Sequence, residues 1–198
     1  MWCKLESRDI DGFSALHIAA RYNQSESVKV LCNLMADIEA RTLNGYTPLL
    51  CAAHWNCVES IHALLEYGAK IVTTDENGFT ALHIAAMHNQ KNAVKLLCEL
   101  GADIEAKTPE GGTPLMYAAV LDNTEVIRVL VKNGANLESV DNNGLTALHF
   151  AARVNREGAT KVLCELGSDK RAKTLKGHTP LKCASQKKFA RVIRILTE

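Results

Sequence analysis

Aromatic residues make up only 5% of this 198-residue chain, and prolines number four. No run of about 18 apolar residues occurs, so no segment is expected to cross a bilayer. The opening residues, MWCKLESRDID, lack the apolar centre of a secretory signal. There is no C-x-x-C pair, no G-x-x-x-x-G-K-[ST] phosphate loop and no G-x-G-x-x-G turn. An excess of either sign of charge is lacking as well. With 23 Lys and Arg against 22 Asp and Glu, the formal charge is +1, and the whole-chain value makes no electrostatic case for nucleic acid or an anionic membrane. The seven cysteines are odd in number and most fall inside apolar runs, which suits buried thiols in a reducing compartment, cytoplasmic or nuclear, rather than a disulfide framework.

What is present is periodic. Gly12, Gly45, Gly78, Gly111, Gly144 and Gly177 are each 33 residues apart, with no insertion between them. The same phrase follows each glycine: Ser14-Ala15-Leu16, Thr47-Pro48-Leu49, Thr80-Ala81-Leu82, Thr113-Pro114-Leu115, Thr146-Ala147-Leu148 and Thr179-Pro180-Leu181. Ser or Thr caps a helix by accepting a bond from a free backbone N–H, and Pro or Ala suits the first helical position. An alanine pair comes next (Ala184-Ser185 in the last repeat), small enough to let helices approach closely. Asn23, Asn56, Asn89 and Asn155, with Asp122 and Lys188 in register, then stand where a left-handed residue ends the helix.

A second helix is expected over stretches such as "SIHALLEY" and "AVKLLCEL", apolar on one face and charged on the other. Gly68, Gly101, Gly134 and Gly167 stop it in the manner of a glycine C-cap. Met35 occupies that place in the first repeat and is expected to be a strained point. The segment leading to the next glycine has turn chemistry and should project as a hairpin-like finger. Neither helix is long enough to be stable alone, so neighbouring repeats must supply the burial. Odd and even repeats also differ: odd ones carry S/T-A-L-H and Cys32, Cys98 and Cys164, which are expected to face the core, and even ones carry T-P-L without histidine. This alternation reads as duplication of a two-repeat unit.

The 33-residue period and the T-P-L-H-x-A phrase resemble the ankyrin repeat, and the resemblance covers nearly the whole chain. It implies an all-α solenoid of stacked helix-turn-helix pairs with finger loops, forming a single domain over 1–198. Its parts are a closing segment over 1–11, then repeats over 12–44, 45–77, 78–110, 111–143, 144–176 and a truncated 177–198. "KLESRDIDG" at 4–12 matches "NLESVDNNG" at 136–144, so further repeats are expected upstream. Lys182, Lys187 and Thr197 stand where several other repeats carry apolar residues, and Lys188 where the others carry Asn or Asp, as expected of a water-facing last repeat.

The recurring histidines raise the question of chemistry. The resemblance implies that His17, His83 and His149 bond backbone groups and stitch neighbouring loops together. A catalytic role would require a nucleophile or acid with a positioned partner, and the three copies are too far apart to share a site. His83 and His88 are five apart and Cys51 and Cys57 six apart, neither a zinc spacing, so no metal or cofactor is expected. Asn23-Gln24-Ser25 is a chance match to a glycosylation acceptor.

What remains is surface. In the family, partners most often bind the concave side built from fingers and first helices, at positions free of structural duty. Those positions vary here where the structural ones repeat. Tyr22, Trp55, His88 and Leu121 share one register, with Arg21 and Arg41 flanking them as a basic edge. Phe13, Tyr46 and Phe79 directly follow the finger glycines and are candidates too, the alternative being that they pack finger against finger. The function expected is protein binding without catalysis, by a monomeric adaptor, scaffold or regulatory segment. The partner suited to an aromatic centre with a basic edge is a segment with apolar anchors and some acidic residues. The alternatives are a structural spacer or spring, and the regulatory region of an enzyme or channel whose active domain lies outside this chain. Neither nucleic acid binding nor membrane insertion is expected.

Overall fold

The computed structural model describes residues 5–198; residues 1–4, with Cys3 and the start of the expected closing segment, lie outside it. The described residues form twelve helices in six pairs and no strand; the nearest approach to one is an isolated antiparallel bridge between Thr74 and Thr80. The first helices of the pairs have seven residues and most second helices nine: α1 (Ala15–Arg21), α2 (Ser25–Asn33), α3 (Pro48–His54), α4 (Val58–Glu66), α5 (Ala81–Met87), α6 (Lys91–Glu99), α7 (Pro114–Val120), α8 (Thr124–Lys132), α9 (Ala147–Arg153), α10 (Glu157–Glu165), α11 (Pro180–Gln186) and α12 (Ala190–Thr197). The fold class is that of stacked helix-turn-helix pairs.

The chain divides into two compact units, Met1–Asp103 and Ile104–Glu198. Within the first, α1 packs on α3 and α3 on α5, while α2 packs on α4 and α4 on α6. Within the second, α7, α9 and α11 form one layer and α8, α10 and α12 the other. The alanine pairs explain the close approach. Ala52, Ala53, Ala85 and Ala86 in one unit, and Ala118, Ala119, Ala151 and Ala152 in the other, are wholly buried. Around them Ile61, Leu64, Val94 and Leu97, or Ile127, Leu130, Leu163 and Val192, complete each core.

Local chemistry sets the boundaries. Thr47, Thr80, Thr146 and Thr179 lie in extended backbone, and each hydroxyl accepts a bond from the N–H three residues on. All six residues ending the first helices are left-handed, from Asn23 (φ 55°) to Lys188 (φ 58°). Their side chains do more than permit the turn: Asn23 Oδ1 accepts the Ser60 N–H at 3.1 Å, and Asn56 Oδ1 that of Ala93 at 2.9 Å. The finger glycines have their own cause. A Cβ on Gly12 would sit 2.9 Å from the Leu43 backbone nitrogen, and φ there is +85°.

The expected strain at Met35 is present: its φ is 65°, in register with Gly68 at 93° and Gly101 at 84°, and its side chain is 76% exposed. One expectation is corrected. Cys32, Cys98 and Cys164 are half-buried rather than core residues. Cys98 and Cys164 directly follow the buried Leu97 and Leu163, and one helical step rotates a side chain about 100° away from the apolar stripe.

Candidate functional site

The histidines are best placed first, because they position everything around them. His17 is wholly buried, and its Nδ1 accepts the Ser14 backbone N–H at 3.2 Å. A ring nitrogen that accepts has no proton, so the proton is on Nε2, which donates to the carbonyl of Tyr46 at 2.9 Å. His149 repeats the arrangement with Thr146 and the carbonyl of His178 at 3.0 Å. His83 likewise accepts the Thr80 N–H at 3.3 Å. Burial holds His17 and His149 below the usual imidazole range, with the bonds to backbone opposing it. His17 and His149 are thus staples between a first helix and the next finger.

With the first helices locked, their C-terminal ends present Arg21 and Tyr22, His54 and Trp55, and Met87 and His88 on one face of the first unit. Trp55 is 50% exposed and Tyr22 63%. The Arg21 guanidinium lies 5.0 Å from the centre of the Trp55 ring, 5.7 Å from Tyr22 and 5.9 Å from Phe13. No carboxylate pairs with Arg21 among the described residues. His54 sits between two rings, stacked on His88 at 3.7 Å and on Trp55 at 4.9 Å. Phe13, Arg21, Tyr46, His54 and Trp55 line a hollow of about 260 Å³, and Tyr46, Phe79 and His88 an adjoining one of about 340 Å³.

The electrostatics follow from this packing. Burial, then the positive charge His88 can carry, then Arg21, push His54 down to about 4. Burial also lowers His88. The stack is therefore a neutral surface at pH 7, with Arg21 the fixed cation beside it. Cys51 also lines the first hollow, but burial pushes its thiol up to about 12. A thiolate–imidazolium pair needs the thiol to be the stronger acid, and here the order is reversed by a wide margin. Cys51 and His54 are therefore not poised as a thiolate–imidazolium pair. Among the described residues no group of three or more His, Cys, Asp or Glu is arranged to hold a metal ion.

The sequence-predicted residues do not all share one place. Trp55 and His88 come together through His54, which the register argument passed over in favour of its neighbour, and Tyr22 and Trp55 through Arg21. The signal for His54 was its place beside Trp55, in a register held elsewhere by Arg21, Met87 and Val120. Phe13 and Phe79 lie edge-on to His17 and His83 at 5.8 and 5.9 Å, so each rests against a buried histidine while lining a hollow. Tyr46 is half-buried, with its ring 6.1 Å from His54. Arg41 is committed to structure: its guanidinium donates to the carbonyls of Gly45 at 3.0 Å and Thr74 at 2.7 Å. Leu121 belongs to the second unit, where it caps α7 and is 42% exposed.

A family model described as ankyrin repeats in three copies matches residues 2–75, 35–108, 73–141, 101–174 and 136–198. The chain belongs to the ankyrin repeat family. No curated protein matches it at a significant level. Ankyrin repeats are in general protein-interaction modules, and the helix pairs, capping threonines and stapling histidines of this ankyrin chain are its scaffold. The aromatic cluster is not part of that scaffold's repeating chemistry, since no other repeat carries Trp or Tyr in the Trp55 register except Tyr22. Among the described residues no helix is long and apolar enough to cross a membrane.

Proposed function

We propose that this ankyrin chain is a non-catalytic binding module that holds a protein segment against the finger side of its first unit, centred on Trp55. The observation that carries this is an exposed Trp55 capped by Arg21, a guanidinium with no carboxylate partner. Aromatic residues and arginine dominate binding energy at interfaces, because they bury large area at small entropic cost and arginine grips carboxylates through two parallel bonds. The hollow beside Trp55, lined by Phe13, Tyr46 and His54, accepts an apolar side chain. The segment that fits therefore carries an apolar or aromatic anchor with an acidic residue beside it.

A displayed peptide library selected on the whole chain tests this. Enriched peptides are expected to combine an apolar anchor with Asp or Glu. Trp55→Ala should weaken a selected peptide by about 2 kcal/mol, roughly 30-fold, and leave the helical signal intact. If instead the thermal midpoint falls while affinity is unchanged, Trp55 serves stability alone. If no peptide is retained, the spacer reading takes its place.

A further inference from the structure

The near-neutral total charge conceals a strong asymmetry. Nine of the chain's 23 basic residues, and none of its 22 acidic ones, lie between positions 170 and 197. Three of the nine are already engaged: Lys170 donates to the carbonyl of Ile195, Arg191 faces Glu157 at 3.4 Å and Arg194 faces Glu198 at 3.5 Å. The other six, Arg171, Lys173, Lys176, Lys182, Lys187 and Lys188, are all exposed, and none has a carboxylate partner among the described residues.

The repeat register shows where these cations are directed. Glu105 and Glu138 each accept a backbone N–H of the following repeat at 2.8 Å, and Arg171 stands in their register. Lys107 donates to the carbonyl of Val140 in the next finger at 2.9 Å, and Lys173 is its equivalent. His149 reaches the carbonyl of His178 in the next repeat, and Lys182 is its equivalent. Asp122 accepts the Ala159 N–H, and Lys188 is its equivalent. Four registers that elsewhere reach forward to the next repeat thus carry Lys or Arg at their last occurrence, Arg171 and Lys173 at the end of the fifth repeat and Lys182 and Lys188 in the sixth. Two of them, at Arg171 and Lys188, replace acceptors by donors, so a repeat docked there would meet cations where its backbone N–H groups need oxygen.

We propose that this basic face, formed by the finger that joins the fifth and sixth repeats and by the sixth helix pair, adsorbs to an anionic phospholipid bilayer. The cations run from the finger (Lys173, Lys176) through the first helix (Lys182) and the turn after it (Lys188) to the closing loop (Arg171), which spreads them over a face rather than along a groove. A charge spread of this kind matches a flat anionic surface, and lysine suits diffuse attraction to headgroups better than the directed grip of arginine. Leu175, 80% exposed at the finger tip between Lys173 and Lys176, adds the apolar contact that a polybasic patch needs for stable adsorption. A nucleic-acid strand would instead call for exposed aromatic rings to stack its bases, and none accompanies these lysines: Phe189, the one aromatic ring of Phe, Tyr or Trp after position 170, is half-buried.

The test is co-sedimentation of the whole chain with vesicles of equal parts phosphatidylcholine and phosphatidylserine at physiological salt. Binding is expected to these vesicles, not to phosphatidylcholine alone, and to fall as salt is raised. Removing one lysine from the surface weakens adsorption about fivefold, so Lys173→Gln with Lys182→Gln should weaken it roughly 25-fold at unchanged helical signal. Leu175→Ser should weaken it further, and Trp55→Ala should leave it as it is. Absence of binding to the mixed vesicles overturns the proposal, as does equal binding by the double variant. Tighter capture of a duplex or single-stranded oligonucleotide than of these vesicles would also overturn it, and would assign the face to nucleic acid.

Discussion

Acidification should loosen the first unit through His54, and replacing that residue by methionine should remove the effect. His54 is stacked between His88 and Trp55, with the Arg21 guanidinium close by. Its imidazole falls from 6.5 in the unfolded chain to about 4 in the fold. Below pH 6.5 the unfolded chain therefore takes up a proton that the fold refuses, and stability is lost progressively as pH falls from about 6.5 to about 4. At pH 5 the full difference would amount to about 2 kcal/mol; water reaching this partly exposed ring reduces the expectation to about 1 kcal/mol. Met87 occupies the same register, so His54→Met keeps a side chain that the site already accommodates one repeat away. Urea unfolding followed by circular dichroism at pH 7 and pH 5 gives the comparison. His17 and His149 are also held down by burial and contribute an acid loss common to both proteins. The wild type should lose about 1 kcal/mol more than the variant over this interval. Parallel losses would refute the reasoning and place the acid sensitivity in the other buried histidines, His17, His88 and His149.

Two further outcomes concern stability. Met35→Gly should raise the thermal midpoint by up to about 1 kcal/mol of stability, since φ there is 65° and the exposed side chain has little packing to lose; a lower midpoint would show that Met35 contributes packing. Ser60 is wholly buried in α4 and its hydroxyl has no hydrogen-bond partner, so Ser60→Ala should stabilise by about 1 kcal/mol in the same assay, and a loss would indicate a bond to the hydroxyl.

The scaffold was legible because its causes are local and recur. A capping threonine, a proline at the first helical position and a glycine where φ must be positive each act over three or four residues, and six copies make coincidence untenable. Even the misfit at Met35 could be read, because the register names the conformation that its residue must adopt. The candidate site was only half legible. The register grouped Tyr22, Trp55 and His88, yet the structure joins Trp55 to His88 through His54, and joins Arg21 to three rings at once, Tyr22 among them. Those contacts depend on side-chain rotamers across neighbouring repeats, which spacing does not encode. Arg41 shows the same limit from the other side. As a charge beside an aromatic stripe it is a candidate contact, but its reach to the carbonyl of Thr74 is a matter of three-dimensional distance. The Cys98 position failed for a smaller reason, one helical step from Leu97.

Lys188 separates stability from binding most sharply. It is left-handed at φ 58°, in a register where Asn23, Asn56, Asn89 and Asn155 tolerate that backbone. Asn23 and Asn56 also recover energy by accepting a backbone N–H of the next repeat, which an ammonium group cannot do. A lysine here carries the strain without that return, so on stability alone asparagine is the better residue. Lys188→Asn should therefore raise the thermal midpoint, by about 0.5 to 1 kcal/mol of stability, as the left-handed cost is relieved. The same change removes one cation from the proposed membrane face and should weaken adsorption to phosphatidylserine vesicles about fivefold. The two assays must move in opposite directions. If the variant is more stable and binds vesicles as well as the wild type, the strained lysine has no part in the basic face. If it is less stable, the lysine stem makes packing contacts that offset its backbone, and the strain argument fails.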